Sequence, residues 1–291
     1  MLILLGTYSY CDNPRVVVDN GHTGVVRSLE YHQEFDLLFS AGEDGTVRGW
    51  NASTKELVYN LRVSYNPIEK FALDPEQPRI ATVEKVDAKT FKLAVWNWQD
   101  NKELFSREIR EVPLYIGFSP KGSYLAYSIT EWDSLVLLDA ESGEQTPYLR
   151  DGFGIVSGFI ISPSEKTIMT YSPSGNIQYW DIVGGFRKQR ISTTSDITTF
   201  SFTSNLRYMV GSDGNRVYMI DLINGNEVVS LPISGIGAVS TNPLSNSVAC
   251  VARREAEEDQ TIFLIDLEDR IRIERRFDVP FEERITDVAF Y

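Results

Sequence analysis

Apolar and polar residues alternate over short runs along the whole chain, and no segment sustains a 3.6-residue apolar period over a helical length. Leu37, Phe39 and Ala41 alternate with their neighbours as a half-buried strand requires. Asp44-Gly45 follows, where glycine tolerates φ > 0 and aspartate can bond its own backbone. Val47, Gly49 and Asn51 then alternate with Arg48 and Trp50. The stretch GEDGTVRGWN, residues 42–51, thus predicts a β-hairpin.

Two landmarks show that this hairpin is one copy of a repeat. The first closes an alternating strand, at Tyr31, Leu73, Phe118, Ile161, Phe202, Thr241 and Phe290, with successive spacings of 42, 45, 43, 41, 39 and 49. The second is a large apolar residue followed by Asp or Asn, at Trp50, Trp96, Leu138, Trp180, Ile220 and Ile265, spaced by 46, 42, 42, 40 and 45. A single period of about 43 residues spans the chain. Each period holds four strand-like runs, in the first approximately 25–31, 36–42, 46–51 and 56–62, joined by loops of Gly, Asp, Asn, Pro and Ser. Four-stranded units at this period with a Trp-Asp signature predict an all-β propeller.

The chain resembles the WD-repeat β-propellers over essentially its whole length. His22 of the Gly21-His22 pair, Ser40 on the second strand, Asp44 in the turn and Trp50 on the third strand resemble that family's hydrogen-bonded tetrad, and Asp44 stands at the family spacing, six residues before Trp50. The motif decays elsewhere. Trp180 keeps Asp181, but Ser174 stands where the turn aspartate would be; Asp259 is six residues before Ile265, where the tryptophan is replaced. With only His22 and His32 in the chain, at most one blade holds the full network.

The expected architecture is one domain, residues 1–291, forming a seven-bladed β-propeller of four-stranded antiparallel blades. Six blades cover about 25–62, 67–109, 112–149, 155–191, 196–232 and 235–277. The interval from the tryptophan slot to the next strand landmark is 23 residues for Trp50 to Leu73 and for Leu138 to Ile161, and 23 residues before Tyr31 lies Tyr8. LILLGTY is therefore read as a third strand, with an outer strand at about 14–19, and ERITDVAFY as an innermost strand. Together, 284–291 and 1–19 make a composite seventh blade, three-stranded by count. Direct pairing of LILLGTY with 284–290 is the favoured reading; a chain cut from a longer one is the other.

Composition narrows the function classes. At 42% hydrophobic and 24% charged the chain can bury a substantial core. A net charge of −13 opposes nucleic-acid and anionic-membrane partners, which require a basic field. Cys11 and Cys250 do not make a disulfide framework and read as reduced thiols. MLILLGTY lacks the basic start of a signal peptide, and no apolar run reaches 18 residues, so a cytoplasmic location is expected; a chain cut from a longer one would leave its targeting signals outside this sequence.

Candidate chemistry is sparse. His22 has no second His or Cys at ligand spacing, so no metal and no cofactor are expected. His32 reads as a loop residue, and Asp44, Asp213 and Asp259 as turn residues bonding their own backbone. GIVSGF at 154–159 is only loosely a nucleophile elbow, and GSDGN at 211–215 lacks the spaced acids of a calcium loop. RREAEEDQ, 253–260, extends the loop between the second and third strands of the sixth unit.

The family resemblance implies that connections from one blade's outer strand to the next blade's inner strand share a face with the second-to-third-strand turns, and that this face takes partners. On it fall Tyr65, Trp132, Arg150, Phe153, Tyr171, Asp213 and Arg254, of the aromatic and arginine types that anchor interfaces. The reading that follows is a monomeric, non-catalytic scaffold that binds a protein or peptide. A lactonase-like propeller hydrolase, which LGTYS at 5–9 resembles in its opening strand, and a purely architectural domain of a larger chain are the alternatives.

Overall fold

The computed structural model describes residues 21–129, 135–146, 155–172, 174–193, 197–203, 206–241, 247–253, 260–266 and 272–279. Among the described residues, alternating sequence becomes antiparallel strand. The first blade runs β1 (Val26–His32), β2 (Leu37–Gly42), β3 (Thr46–Asn51) and β4 (Leu57–Arg62), hydrogen-bonded in that order. The second is β5 (Ile68–Leu73), β6 (Arg79–Lys85), β7 (Phe91–Asn97) and β8 (Lys102–Ile109). The third is β9 (Tyr115–Phe118), β10 (Tyr124–Ser128) and β11 (Leu135–Asp139). The fourth is β12 (Gly158–Ile161), β13 (Thr167–Tyr171), β14 (Asn176–Asp181) and β15 (Arg187–Ser192). The fifth is β16 (Thr199–Phe202), β17 (Tyr208–Ser212), β18 (Val217–Asp221) and β19 (Glu227–Leu231). The sixth is β20 (Ile236–Thr241), β21 (Ser247–Arg253), β22 (Gln260–Asp266) and β23 (Arg272–Val279).

The described residues thus form six blades of three or four antiparallel strands, which corrects the expected seven-bladed count. The segments assigned to the composite blade, 1–19 and 284–291, lie outside the described residues. In the third blade the described residues form three strands and, past β11, one isolated bridge, Leu138 to Gln145; the rest of the expected outer strand, from residue 147, lies outside the described residues. The physical reason for the miscount is that a local period locates repeat units, whereas joining the two ends into a further blade is a non-local pairing that no local spacing encodes.

The structure gives the tryptophan-slot landmark a cause. In every four-stranded blade, the pairing of third and fourth strands slips by one residue immediately before that slot: at Gly49/Trp50, Val95/Trp96, Tyr179/Trp180, Met219/Ile220 and Leu264/Ile265. Such a bulge sharpens the local twist, turning the outer strand across the blade. The Asp or Asn that follows closes the next turn with its own side chain. Asn97 Oδ1 accepts from the amides of Gln99 and Asp100, Asp139 Oδ1 from Glu141 and Ser142, and Asp221 Oδ1 from Ile223.

Buried side chains fill the spaces between adjacent blades. Between the first two, Trp98 is completely buried, its ring 5.2 Å from Phe39, 4.9 Å from Tyr59 and 5.1 Å from Phe35. His32 closes the end of β1 and is buried edge-on to Phe35 and Trp98, correcting its assignment to a loop. Arg79 bridges the second and third blades. It ion-pairs with buried Asp74 at 2.6 Å while donating to the carbonyls of Gly122 and Ala140. Among the described residues, no helix is long and apolar enough to cross a membrane.

Candidate functional site

The innermost strands β1, β5, β9, β12, β16 and β20 line a central channel of about 910 Å³. Its walls are unlike. On one side Tyr115 meets Phe159 edge-on at 5.0 Å and lies 6.4 Å from Phe200, nearly parallel to it. A Cβ on Gly158 would overlap the Phe200 ring, so glycine is what lets this aromatic lie against β12. Elsewhere the wall carries the cations Arg27 and Lys70: Arg27 pairs with Glu43 at 2.6 Å and reaches Glu69 at 3.8 Å, and Lys70 Nζ donates to the Leu114 carbonyl at 3.2 Å.

One face of the ring gathers the second-to-third-strand turns together with the connections between blades. The amides of Val63 and Ser64 bond the Gly45 carbonyl, Thr193 N bonds Gly175 O, and Gly235 N bonds Gly214 O. Gly45 has φ +71°, and a Cβ there would press on the Ser64 carbonyl at 2.3 Å, so this junction requires glycine.

Tyr65 rises from this junction and is 92% exposed. Its loop is fixed on both sides: Ser64 Oγ donates to Glu84 and accepts from Asn66 N at 2.8 Å, and Asn66 Nδ2 donates to Glu84. The Arg62 guanidinium lies 5.6 Å from the Tyr65 ring centroid. The other expected face residues divide. Tyr171 is fully buried against Phe200, its hydroxyl accepting from Ile197 N, so it is a core residue and not a surface one. Asp213 stays in its turn, accepting from the amides of Asn215 and Arg216 and from the Tyr218 hydroxyl at 2.7 Å. Burial would raise its pKa, but those donors outweigh it and hold the carboxyl low. Trp132, Arg150, Phe153 and Arg254 lie outside the described residues, as do Cys11 and Asp259.

The sequence reading missed Tyr115 and Phe200. The available signal was a bulky aromatic on an innermost strand, whose unburied side can look only into the channel.

The four residues His22, Ser40, Asp44 and Trp50 meet at the first blade. Trp50 Nε1 donates to Ser40 Oγ at 2.9 Å, Ser40 Oγ lies 2.8 Å from His22 Nε2, and His22 Nδ1 lies 3.0 Å from Asp44 Oδ1. A neutral imidazole carrying its proton on Nδ1 satisfies every member: tryptophan donates to serine, serine to histidine, histidine to the carboxylate. Asp44 also accepts from Thr23 N, Thr46 N and Thr46 Oγ1, and Arg48 Nη2 lies 3.5 Å away. Burial alone would raise the Asp44 pKa, yet the hydrogen bonds from Thr46, His22 and Thr23 prevail and hold it well below the usual carboxylate range. In the second blade only a remnant of this relay exists, Trp96 Nε1 to Thr82 Oγ1 at 3.2 Å. Among the described residues, no group of three or more His, Cys, Asp or Glu side chains is placed to hold a metal ion.

Comparison with known proteins agrees with this architecture. Residues 12–288 match a family described as an N-terminal beta-propeller domain. An uncharacterized protein of Treponema pallidum (strain Nichols) is 22% identical over 67% of the chain, which spans 32% of that relative. Eukaryotic translation initiation factor 3 subunit I of Scheffersomyces stipitis is 22% identical over 86% of the chain and 62% of the relative. A guanine nucleotide-binding protein subunit beta of Solanum tuberosum is 24% identical over 72% of the chain and 59% of the relative. The chain therefore spans between about a third and three fifths of these relatives, and the likenesses support the WD-repeat reading of its sequence.

Proposed function

The chain belongs to the N-terminal beta-propeller domain family, and from that premise we propose that it is a non-catalytic module binding a protein or peptide at the channel-mouth face. The observation that carries this reading is Tyr65, a large aromatic left 92% exposed on a loop whose polar groups are already engaged with one another. A side chain held out in this way loses little conformational freedom on binding, which favours it as an anchor. Val25, Val86, Leu114, Tyr115 and Ile155 are also more than a third exposed, at strand ends and connections of this same face. Apolar residues gathered on one face suit partner contact.

Two of the relatives are named as subunits, which supports a part played within an assembly. His22 is read as a structural clamp rather than a catalytic base, because both ring nitrogens are engaged by Ser40 and Asp44.

The test is affinity capture with the purified chain, a Tyr65→Ala/Val86→Ser variant at two exposed positions of the face, and a Leu104→Ser control on an outer strand. All three should show the same Tm. A partner kept by the control and lost by the face variant is the expected result. Equal capture by wild type and face variant would reject the channel-mouth face.

A further inference from the structure

A second surface lies on the rim of the fourth blade, away from the channel mouth, and does not depend on the reading above. Its centre is the outer strand β15, RKQRIS, whose first four residues are all exposed. The outer strands β4 and β8 instead alternate exposed with half-buried or buried positions, so one side of each is covered by its neighbours. In β15 neither side is covered along its first half. As the last strand of its sheet, it also presents an unpaired backbone edge.

The charge of this strand opposes that of the molecule. Arg187, Lys188 and Arg190 sit within four residues and the strand holds no acid, in a chain of net charge −13. Lys188 is neutralised by Asp181 at 2.8 Å. Arg187 lies 6.0 Å from the Trp180 ring centroid, and Arg190 donates twice to Asn176 Oδ1. Among the described residues, neither arginine has a carboxylate within ion-pair distance.

Apolar side chains flank the cations. Val183 and Phe186, at the turn entering β15, are 65% and 56% exposed. Ile223, 62% exposed, sits on the turn between β18 and β19, and that turn packs on β15 so closely that a Cβ on Gly225 would overlap Ile191.

We propose that this rim binds an extended acidic segment of a partner protein, which adds to β15 as a further strand and seats apolar residues against Phe186 and Ile223. An anionic membrane is the poorer occupant. A flat bilayer faces the whole acidic molecule, whereas a single peptide strand feels only charges within a screening length of about 8 Å at physiological salt.

The test is fluorescence anisotropy of a labelled peptide of alternating glutamate and valine with the full chain. It runs beside the lysine–valine counterpart, two versions of the acidic peptide N-methylated at alternate amides along one edge or along the other, and sedimentation with phosphatidylcholine–phosphatidylserine vesicles. The acidic peptide is expected to bind and the basic one not. Arg187→Glu/Arg190→Glu should weaken binding at least about tenfold, and Phe186→Ser/Ile223→Ser should weaken it as well, each with wild-type Tm. One of the two N-methylated registers should abolish binding. The proposal is overturned if the acidic peptide does not bind, if both peptides bind alike, if neither N-methylated register has an effect, or if the vesicles sediment the chain while the peptide fails.

Discussion

Asp44→Ala tests how the first blade is held together. The carboxylate is only 6% exposed and accepts from His22, the amides of Thr23 and Thr46, and the Thr46 hydroxyl, with Arg48 at 3.5 Å. Removing it strands several buried donors at once, and breaking a buried, hydrogen-bonded charged pair costs about 3–5 kcal/mol. At about 2–3 °C per kcal/mol for a domain of this size, Tm should fall by roughly 6–15 °C. The assay is urea unfolding followed by tryptophan fluorescence, repeated at decreasing pH. The folded-state pKa of Asp44 is depressed below the unfolded value of about 3.9. Its contribution is therefore fully present above that value and lost as pH falls through the folded pKa. The stability gap between wild type and Asp44→Ala should be widest near neutrality and narrow below pH of about 4. A cost under about 1 kcal/mol at neutral pH, the worth of one ordinary hydrogen bond, would refute the cooperative network, and so would a gap that stays constant under acid.

Three further outcomes follow from the packing. Trp98→Ala should cost about 3–5 kcal/mol in urea unfolding, because this fully buried ring fills the seam between the first two blades; a loss near that of a surface substitution would mean the seam collapses around the gap. Burial against Phe35 and Trp98 holds the His32 pKa below its ordinary value, so its contribution to stability is present above the unfolded value of about 6.5 and declines as pH falls below it. His32→Leu should flatten that decline in a pH series of Tm values, and an unchanged slope would assign it to another group. Burial pushes the Cys250 thiol up to about 12, so in a Cys11→Ser background the native chain should resist iodoacetamide at pH 8 and react on unfolding; rapid native alkylation would contradict its burial.

The repeat was legible in the sequence because each blade is built from local alternation and tight turns. Alternation at Leu37, Phe39 and Ala41 sets which side chains enter the core, and Asp44-Gly45 sets the turn, within a few residues of each other. The tetrad came from the resemblance to WD-repeat propellers and not from alternation alone, although its members Asp44 and Trp50 keep a fixed spacing inside one hairpin and Ser40 stands on the paired strand, opposite Arg48. Even the Trp-Asp landmark reports a local event, a bulge followed by a side-chain-closed turn.

What tertiary structure alone decided is non-local. Spacing could not say that Tyr171, the last residue of β13, turns inward while Tyr65, in the connection after β4, stands clear, because what covers Tyr171 is Phe200 of the neighbouring blade. Nor could it place His32 beside Trp98, two residues far apart in the chain that meet in one seam. The number of blades and the aromatic wall of the channel belong to the same class. Each depends on which strands become neighbours when the units are arranged around an axis, and that arrangement is settled by packing between blades, not by the pattern within one.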